Sequence, residues 1–132
     1  MNKILSRLFA VLLVVAIGLM GCSAATDSLS GNYREDTLAV VNGLRTALSL
    51  PDDSPEKATA QAEAKDLIND FASRYRRNTS VTKLSSFTTM RTALNSLAGH
   101  YSSYPNRPVP EKLKKRLEQE FAQVESALKR GS

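Results

Sequence analysis

The sequence has few of the residues that most often carry chemistry. Its 132 residues include one cysteine, Cys22, one histidine, His100, and no tryptophan. A single cysteine excludes a disulfide within the chain. The sequence has no Gly-rich phosphate loop and no Glu-x-x-His pair of the kind that holds a di-iron centre in a helical bundle. We therefore expect no metal site, no cofactor and no enzymatic activity.

Long apolar runs are also scarce, and the one near the N-terminus is short. Residues 8–20 are almost purely apolar, and Lys3 and Arg7 precede them. A basic start, a short apolar run and a small residue before a cleavage point are typical of a secretory signal. The run is shorter than the roughly 20 residues that cross a bilayer, which disfavours a permanent transmembrane helix. We predict a signal peptide over residues 1–21.

Cys22 lies where a bacterial lipoprotein signal is cut. Leu19 stands three positions before it and Gly21 directly before it, as in a lipobox, although Met20 is a less usual occupant of its position. The alternative is a signal peptide followed by an incidental cysteine. Because a lone exported cysteine cannot form an internal disulfide, we predict that Cys22 is lipidated and anchors the chain in a membrane.

The charge balance is only mildly basic. The whole chain has a formal net charge of +5, and removal of residues 1–21 leaves 16 basic and 13 acidic residues, a net charge of +3. A dedicated nucleic-acid-binding protein usually shows a much stronger basic footprint. We therefore expect no nucleic-acid partner, whereas attraction to an acidic protein surface is compatible with this charge.

Four segments repeat apolar residues every three or four positions, and none alternates with period two. We expect residues 22–32, which are small and polar, to form a flexible tether. The sequence thus predicts an all-α fold, an up-down-up-down four-helix bundle over residues 33–132 that is monomeric. The predicted helices cover residues 33–48, 55–76, 84–104 and 110–130.

Local signals support these helices. Ser54, Pro55 and Glu56 favour a helix start at Pro55, and Gly43 within the first helix indicates a close helix crossing. The last helix carries charge pairs at i,i+4 spacing. These predicted pairs are Glu111–Lys115, Lys114–Glu118, Arg116–Glu120 and Glu125–Lys129.

The third helix has an unusual polar side. Its apolar stripe runs from Leu84 to Tyr101, but the opposite side has no charge, whereas a solvated helix face normally carries Lys and Glu. Small neutral residues let another backbone come close, so this side is covered either by the chain's own domain or by a separate protein. The residues of the neutral side are Ser85, Thr89, Thr92, Ser96, Gly99 and Ser103.

Aromatic and arginine residues gather at the end of the same helix. His100 could be a catalytic base, a metal ligand or a partner contact, but no second histidine or thiolate lies near it, which favours a structural or interface hydrogen bond. Tyrosine and arginine are frequent hot-spot residues in protein interfaces. We predict partner contacts by Arg91, Asn95, His100, Tyr101, Tyr104 and Arg107.

Four segments in order carry a family resemblance. They read YREDTLAVVNGLRTAL, NDFASRYRRN, TMRTALNSLAGHYSSY and PVPEKLKKRLEQE, and the most specific parts are Gly99–Tyr101 and Lys112–Leu117. With the lipobox cysteine, they closely resemble the luminal photosystem II assembly and repair lipoproteins of oxygenic photosynthetic bacteria. The likeness extends from about Tyr33 to Gly131.

The resemblance implies a four-helix bundle anchored on the luminal side of the thylakoid membrane, without enzymatic activity. It implies transient binding to immature or damaged photosystem II, chiefly at the large luminal loop of an inner antenna chlorophyll-binding subunit. Such binding keeps the site of the manganese cluster accessible before the extrinsic subunits bind. No contact residue of the family is carried over to this sequence.

The alternative is a small bacterial envelope lipoprotein with a scaffolding or ligand-carrying role. A ligand carrier needs an apolar cavity inside the bundle. The large side chains of Phe71, Phe87, Leu94 and Phe121 are expected to fill the core instead, which disfavours this alternative.

Overall fold

The computed structural model describes residues 29–105 and 107–132. This part of the chain is all-helical and has no strand, so the predicted all-α class is confirmed. The four long helices lie close to their predicted ranges, and one short helix was not predicted. The helices are α1 (Tyr33–Ser49), α2 (Lys57–Tyr75), α3 (Thr79–Thr82), α4 (Ser85–Ser103) and α5 (Glu111–Lys129). The predicted signal peptide and Cys22 lie outside the described residues.

Each long helix packs mainly against two others. α1 lies against α2 and α5, and α4 lies against α5 and α2. The predicted close crossing at Gly43 is present, because a Cβ atom built there would come within 2.7 Å of Leu67 Cδ1 on α2. Large apolar side chains from all four helices fill the centre. The largest fully buried side chains include Val40, Leu44, Phe71, Met90, Leu97, Tyr101, Leu117 and Phe121.

Two helix starts differ from the expectation. α2 begins at Lys57 rather than at Pro55, because Ser54 Oγ accepts the Glu56 N–H at 3.3 Å and holds these residues in a turn before the helix. The one-turn helix α3 is capped by Asn78, whose side chain accepts the Ser80 N–H at 3.1 Å. Serine and threonine compete with the backbone for hydrogen bonds, so this segment forms only one helical turn.

The charge pairs of α5 are partly different from the prediction. Arg116 and Glu120 pair as expected, at 3.0 Å. Glu118 and Glu125, however, both bind Arg45 of α1, with closest distances of 2.7 and 2.5 Å, rather than their predicted partners. The hydrogen bond from Arg45 lowers the pKa of Glu125. Two of the predicted pairs within α5 are thus replaced by a link between α1 and α5. Lys114 in turn lies 3.6 Å from Glu111 rather than beside Glu118.

Residues 29–32, the last part of the predicted tether, pack on the bundle. Leu29 is only 8% exposed and belongs to the core. Asn32 caps α1 by accepting the Glu35 N–H at 3.0 Å. Gly31 turns the chain between them with a φ of +94°, a conformation that L side chains rarely adopt. The packed domain therefore begins at Leu29, four residues before α1.

A buried carboxylate holds this segment in place. Asp36 is 1% exposed. It accepts hydrogen bonds from the Ser30 N–H at 2.6 Å, the Ser30 hydroxyl at 3.0 Å, the Gly31 N–H at 3.0 Å and the Tyr75 hydroxyl. Burial would raise the pKa of Asp36, but these hydrogen bonds outweigh it, and the pKa is lower than its ordinary value. One side chain of α1 thereby joins the preceding segment to the end of α2.

Further polar contacts extend this network to α4 and to Ser132. The Tyr33 ring packs edge-on against Tyr75, with centroids 5.4 Å apart. Tyr33 Oη lies 2.7 Å from Ser86 Oγ, and both the N–H and the hydroxyl of Ser86 donate to the Ser132 carbonyl. We call this part of the bundle the Asp36 end, defined by residues 29–36, 74–86 and 128–132.

We predict that Asp36→Ala lowers the free energy of unfolding by about 3 kcal/mol, because it leaves the buried Tyr75 hydroxyl and the Gly31 N–H without an acceptor. Tyr75→Phe is the matched control. It removes one of the donors and should cost about 1 kcal/mol. Urea unfolding followed by circular dichroism measures both values, and an equal loss in the two variants would contradict the prediction.

The hydrogen-bonded carboxyl of Asp36 also predicts that the free energy of unfolding depends on pH. Since the pKa of Asp36 is lower in the folded state, its contribution is complete above the ordinary value of 3.8 and is lost as the pH falls through the folded-state pKa. As the pH falls below 3.8, the free energy of unfolding of the wild-type protein should therefore decrease more steeply than that of Asp36→Asn, as measured by urea unfolding at a series of pH values.

Candidate partner-binding surface

The opposite end of the bundle carries a cluster of three side chains at the end of α4. His100 and Tyr104 have ring centroids 5.5 Å apart, and the Arg107 guanidinium lies 5.7 Å from the Tyr104 ring centroid. His100 Nε2 lies 3.4 Å from the Arg107 carbonyl oxygen. We call these three residues the tip cluster. Their mutual contacts arrange an imidazole, a phenol and a guanidinium together before any partner arrives.

Backbone hydrogen bonds fix the turn that carries the tip cluster. The Tyr104 N–H donates to the His100 carbonyl at 2.8 Å and completes the last turn of α4. The Arg107 N–H donates to the Tyr104 carbonyl at 3.2 Å and turns the chain toward α5. Pro105 and Pro108 stiffen the same segment, since their rings fix φ. The cluster therefore has a well-defined backbone.

Tyr104 distinguishes the tip cluster from the rest of the described surface. It is 49% exposed and is the only large hydrophobic side chain exposed to that extent among residues 29–105 and 107–132. Exposed tyrosine next to arginine is the composition typical of an interface hot spot. The structure thus agrees with the predicted position of Tyr104 at the surface, beside His100 and Arg107.

A shallow groove adjoins the cluster. Its volume is about 190 Å³, and Arg107 forms one of its walls together with the loop between α1 and α2. Lys57 and Asp52, two of the lining residues, pair at 2.5 Å, and this hydrogen bond lowers the pKa of Asp52. The lining combines four polar residues with one alanine and two prolines, and the groove is open to solvent, which suits a protein surface rather than a buried small-molecule site.

The neutral side of α4 faces solvent. Ser85, Thr92, Gly99 and Ser103 are exposed, and Thr89 and Ser96 are half-buried, although the first alternative expected coverage by the domain itself. A Cβ atom added at Gly99 would meet no atom within 4 Å. No other described helix covers this side, because α4 contacts α2 and α5 through its apolar stripe.

Two hydroxyls of this face, those of Thr92 and Ser96, are already hydrogen-bonded. Thr92 Oγ1 donates to the Thr88 carbonyl at 3.1 Å, and Ser96 Oγ donates to the Thr92 carbonyl at 3.0 Å. A partner that covers the face would therefore leave few donors without acceptors, and the cost of removing water is low. Spacing along the helix adds Thr88 and Ser102, both exposed, which the sequence interpretation did not include.

The six predicted contact residues do not form one patch. Arg91 and Asn95 are exposed on one flank of the neutral side, one helical turn apart. His100 lies nine positions after Arg91, about 180° around the helix axis, and therefore lies on the opposite flank. Tyr101 is 2% exposed and packs in the core, so it offers no side chain to a partner. The periodicity itself had placed Tyr101 on the apolar stripe.

Nothing in the described residues indicates a metal centre or a membrane span. No group of three or more His, Cys, Asp or Glu side chains converges within residues 29–105 and 107–132. None of the helices in these ranges is long and apolar enough to cross a bilayer.

Comparison with known proteins gives consistent matches. The family model described as Photosystem II Pbs27 matches residues 8–128. The photosystem II assembly factor lipoprotein Psb27 of Thermosynechococcus vestitus is 57% identical over 130 residues, which cover 98% of this chain and 97% of that protein. The chloroplastic photosystem II repair protein PSB27-H1 of Arabidopsis thaliana is 37% identical over 110 residues, 83% of this chain and 62% of that protein.

A solved structure agrees with the fold. The solution structure of Psb27 from cyanobacterial photosystem II matches with a TM-score of 0.75 and 56% identity, over 79% of this chain and 90% of its own. The match covers all but about a tenth of that solved chain, so the domain of that protein folds with little chain beyond the matched residues. By the family model and by identity over nearly the whole length, the chain belongs to the photosystem II Psb27 family.

Proposed function

We propose that this protein is a non-catalytic accessory factor in the assembly and repair of photosystem II. The observation that carries the proposal is identity of 57% over almost the full length of an assembly factor lipoprotein. The described residues are compatible with this role, because they include the exposed Tyr104 ring and the exposed uncharged side of α4. The thylakoid membrane is the location that follows from this role.

The finer parts of the proposal concern attachment and partner. Removal of residues 1–21 exposes Cys22, which carries the lipid that holds the protein on the luminal side. The protein binds as a monomer to the large luminal loop of an inner antenna chlorophyll-binding subunit. It leaves when assembly is complete, and until then it keeps the manganese cluster site accessible to later steps.

The tip cluster and the neutral side of α4 are the proposed contact surface. Interface cores are depleted in charged residues and enriched in tyrosine and arginine. α4 carries one formal charge over its 19 residues, Arg91, whereas α5 carries charges of both signs along its length. Tyr104 adds an exposed aromatic ring at one end of this weakly charged face. The weakly charged face of α4, which costs little free energy to desolvate, thus adjoins the exposed ring of Tyr104.

The ligand-carrying alternative receives less support. Phe71, Phe87 and Phe121 are 1%, 5% and 0% exposed, and the Phe71 and Phe87 rings stack with centroids 6.3 Å apart. These rings occupy the centre of the bundle where a carried ligand would have to lie. A scaffolding role without ligand remains compatible with the same surface.

We predict that Tyr104→Ala and Arg107→Ala each weaken binding to immature photosystem II about 30-fold, as expected for a hot spot worth about 2 kcal/mol. The matched control is Lys115→Ala, an exposed cation near the same end that lies outside the tip cluster. Pull-down from solubilised membranes, with titration of the purified complex lacking extrinsic subunits, measures the affinities. Equal affinity of the Tyr104 and Lys115 variants would exclude the tip cluster from the contact surface.

A charge introduced on the neutral side tests the second part of the surface. Thr92→Glu should weaken binding by at least about tenfold, because the carboxylate would be buried without a partner. Gln123→Glu places the same carboxylate on the exposed side of α5 and should leave binding unchanged. If both glutamates weaken binding equally, the effect is one of net charge and the neutral side is not the contact.

For the anchor, Cys22→Ser should release the protein from native membranes into the soluble fraction, because diacylglycerol can no longer be attached. Mass spectrometry of the wild-type protein should find Cys22 at the N-terminus with acyl chains on its sulfur. An unmodified thiol at this residue in membrane-bound protein would refute the lipid anchor.

A further inference from the structure

The Asp36 end carries an excess of exposed positive charge. Its residue ranges, 29–36, 74–86 and 128–132, contain seven basic residues and two acidic ones, and Asp36, one of the two acids, is buried. All seven basic side chains are exposed, and within the described part of the chain none of them forms an ion pair. The basic residues are Arg34, Arg74, Arg76, Arg77, Lys83, Lys129 and Arg130.

Helix ends explain only some of these cations. Arg76 and Arg130 follow the C-termini of α2 and α5, where positive charge complements the helix dipole. Arg34 lies in the first turn of α1, where the helix dipole disfavours positive charge. Lys83 follows the one-turn helix α3 and lies directly before the start of α4. Cations thus lie at two helix C-termini and at two helix N-termini, and all four belong to the Asp36 end.

The chain leaves the bundle at this end. Leu29 is fixed in the core, and Arg74 Nη1 lies 3.4 Å from the position of a Cβ atom on Gly31. Six residues lie between Cys22 and Leu29, and the seven steps from one Cα atom to the next span at most about 25 Å when fully extended. Helices of 17 to 19 residues are about 25 to 28 Å long. A lipid on Cys22 therefore holds the Asp36 end, and not the tip cluster, next to the membrane.

We propose that the basic residues of the Asp36 end bind anionic lipid headgroups of the membrane that holds the anchor. This inference rests on the proposed lipid anchor for its geometry, but it assigns a separate binding site to the folded domain. Basic side chains close to an anionic leaflet each contribute to binding, and the attraction falls off within a Debye length. The headgroup contacts orient the bundle upright and direct the tip cluster away from the membrane, toward a luminal partner.

The test uses the chain from residue 23 onward, which contains the described domain but no thiol for lipidation. Co-sedimentation should show binding to vesicles that contain phosphatidylglycerol, no binding to vesicles of phosphatidylcholine alone, and loss of binding at raised salt. R76Q/R77Q/R130Q should weaken binding at least about tenfold. K112Q/K114Q/K115Q removes the same charge from the opposite end and should leave binding unchanged.

Two outcomes would overturn the proposal: no binding to the anionic vesicles, or equal weakening by the two triple variants. Thermal unfolding verifies that each variant is folded, and R34Q/K83Q repeats the test at helix N-termini.

Because residues 23–132 contain no cysteine, Ser80→Cys and Ser103→Cys each give one labelling site. A polarity-sensitive dye should change its emission with vesicles at residue 80 and not at residue 103. Failure here leaves the Cys22 and photosystem II experiments unaffected, so the two proposals are separable.

Discussion

The buried carboxylate of Asp36 is the interaction on which one end of the bundle depends. A carboxylate removed from water is costly unless hydrogen bonds replace its hydration. Here Ser30 and Gly31 donate three hydrogen bonds and Tyr75 a fourth, so the charge is satisfied only when the preceding segment and α2 are both in place. The same contacts keep Leu29 in the core. The position at which the chain leaves the domain is therefore set by the fold and is not left to a loose linker.

Short-range sequence patterns predicted most of the fold, but they did not predict the contacts between residues that lie far apart in the sequence. Apolar spacing located four helices to within two residues, because burial of one stripe is a local property of the sequence. Arg45 shows the limit. Its partners Glu118 and Glu125 lie 73 and 80 residues away, and a pattern of i,i+4 charges assigned both to nearby lysines. An acid in the first turn of a helix likewise predicts a favourable dipole interaction, but it does not reveal that Asp36 is buried.

The candidate surface was predictable in its composition but not in its shape. The absence of charge on one side of α4 can be seen in the sequence, whereas its exposure to solvent depends on which helices pack elsewhere. Tyr101 and Tyr104 are three residues apart and of the same type, yet one is in the core and the other is 49% exposed. α4 ends at Ser103, so Tyr104 leaves the helical path on which Tyr101 lies. Residue type alone had grouped them together.

The two ends of the bundle have opposite physical characters, and the order of helices determines their separation. α1 and α4 begin at the Asp36 end, and α2 and α5 end there. The other end therefore consists of the α1–α2 and α4–α5 loops. Neither loop adjoins residues 29–32, by which the chain enters the domain. An accessory protein that must bind and then leave needs a firm attachment that does not depend on its partner. In the proposed arrangement, the attachment lies at the basic end and the contact surface lies along α4 and at the tip. The affinity for the partner can then remain modest, because a lipid anchor would restrict the protein to the membrane surface and raise its effective concentration. A weak docking surface on a firmly held bundle is thus the combination that permits transient binding.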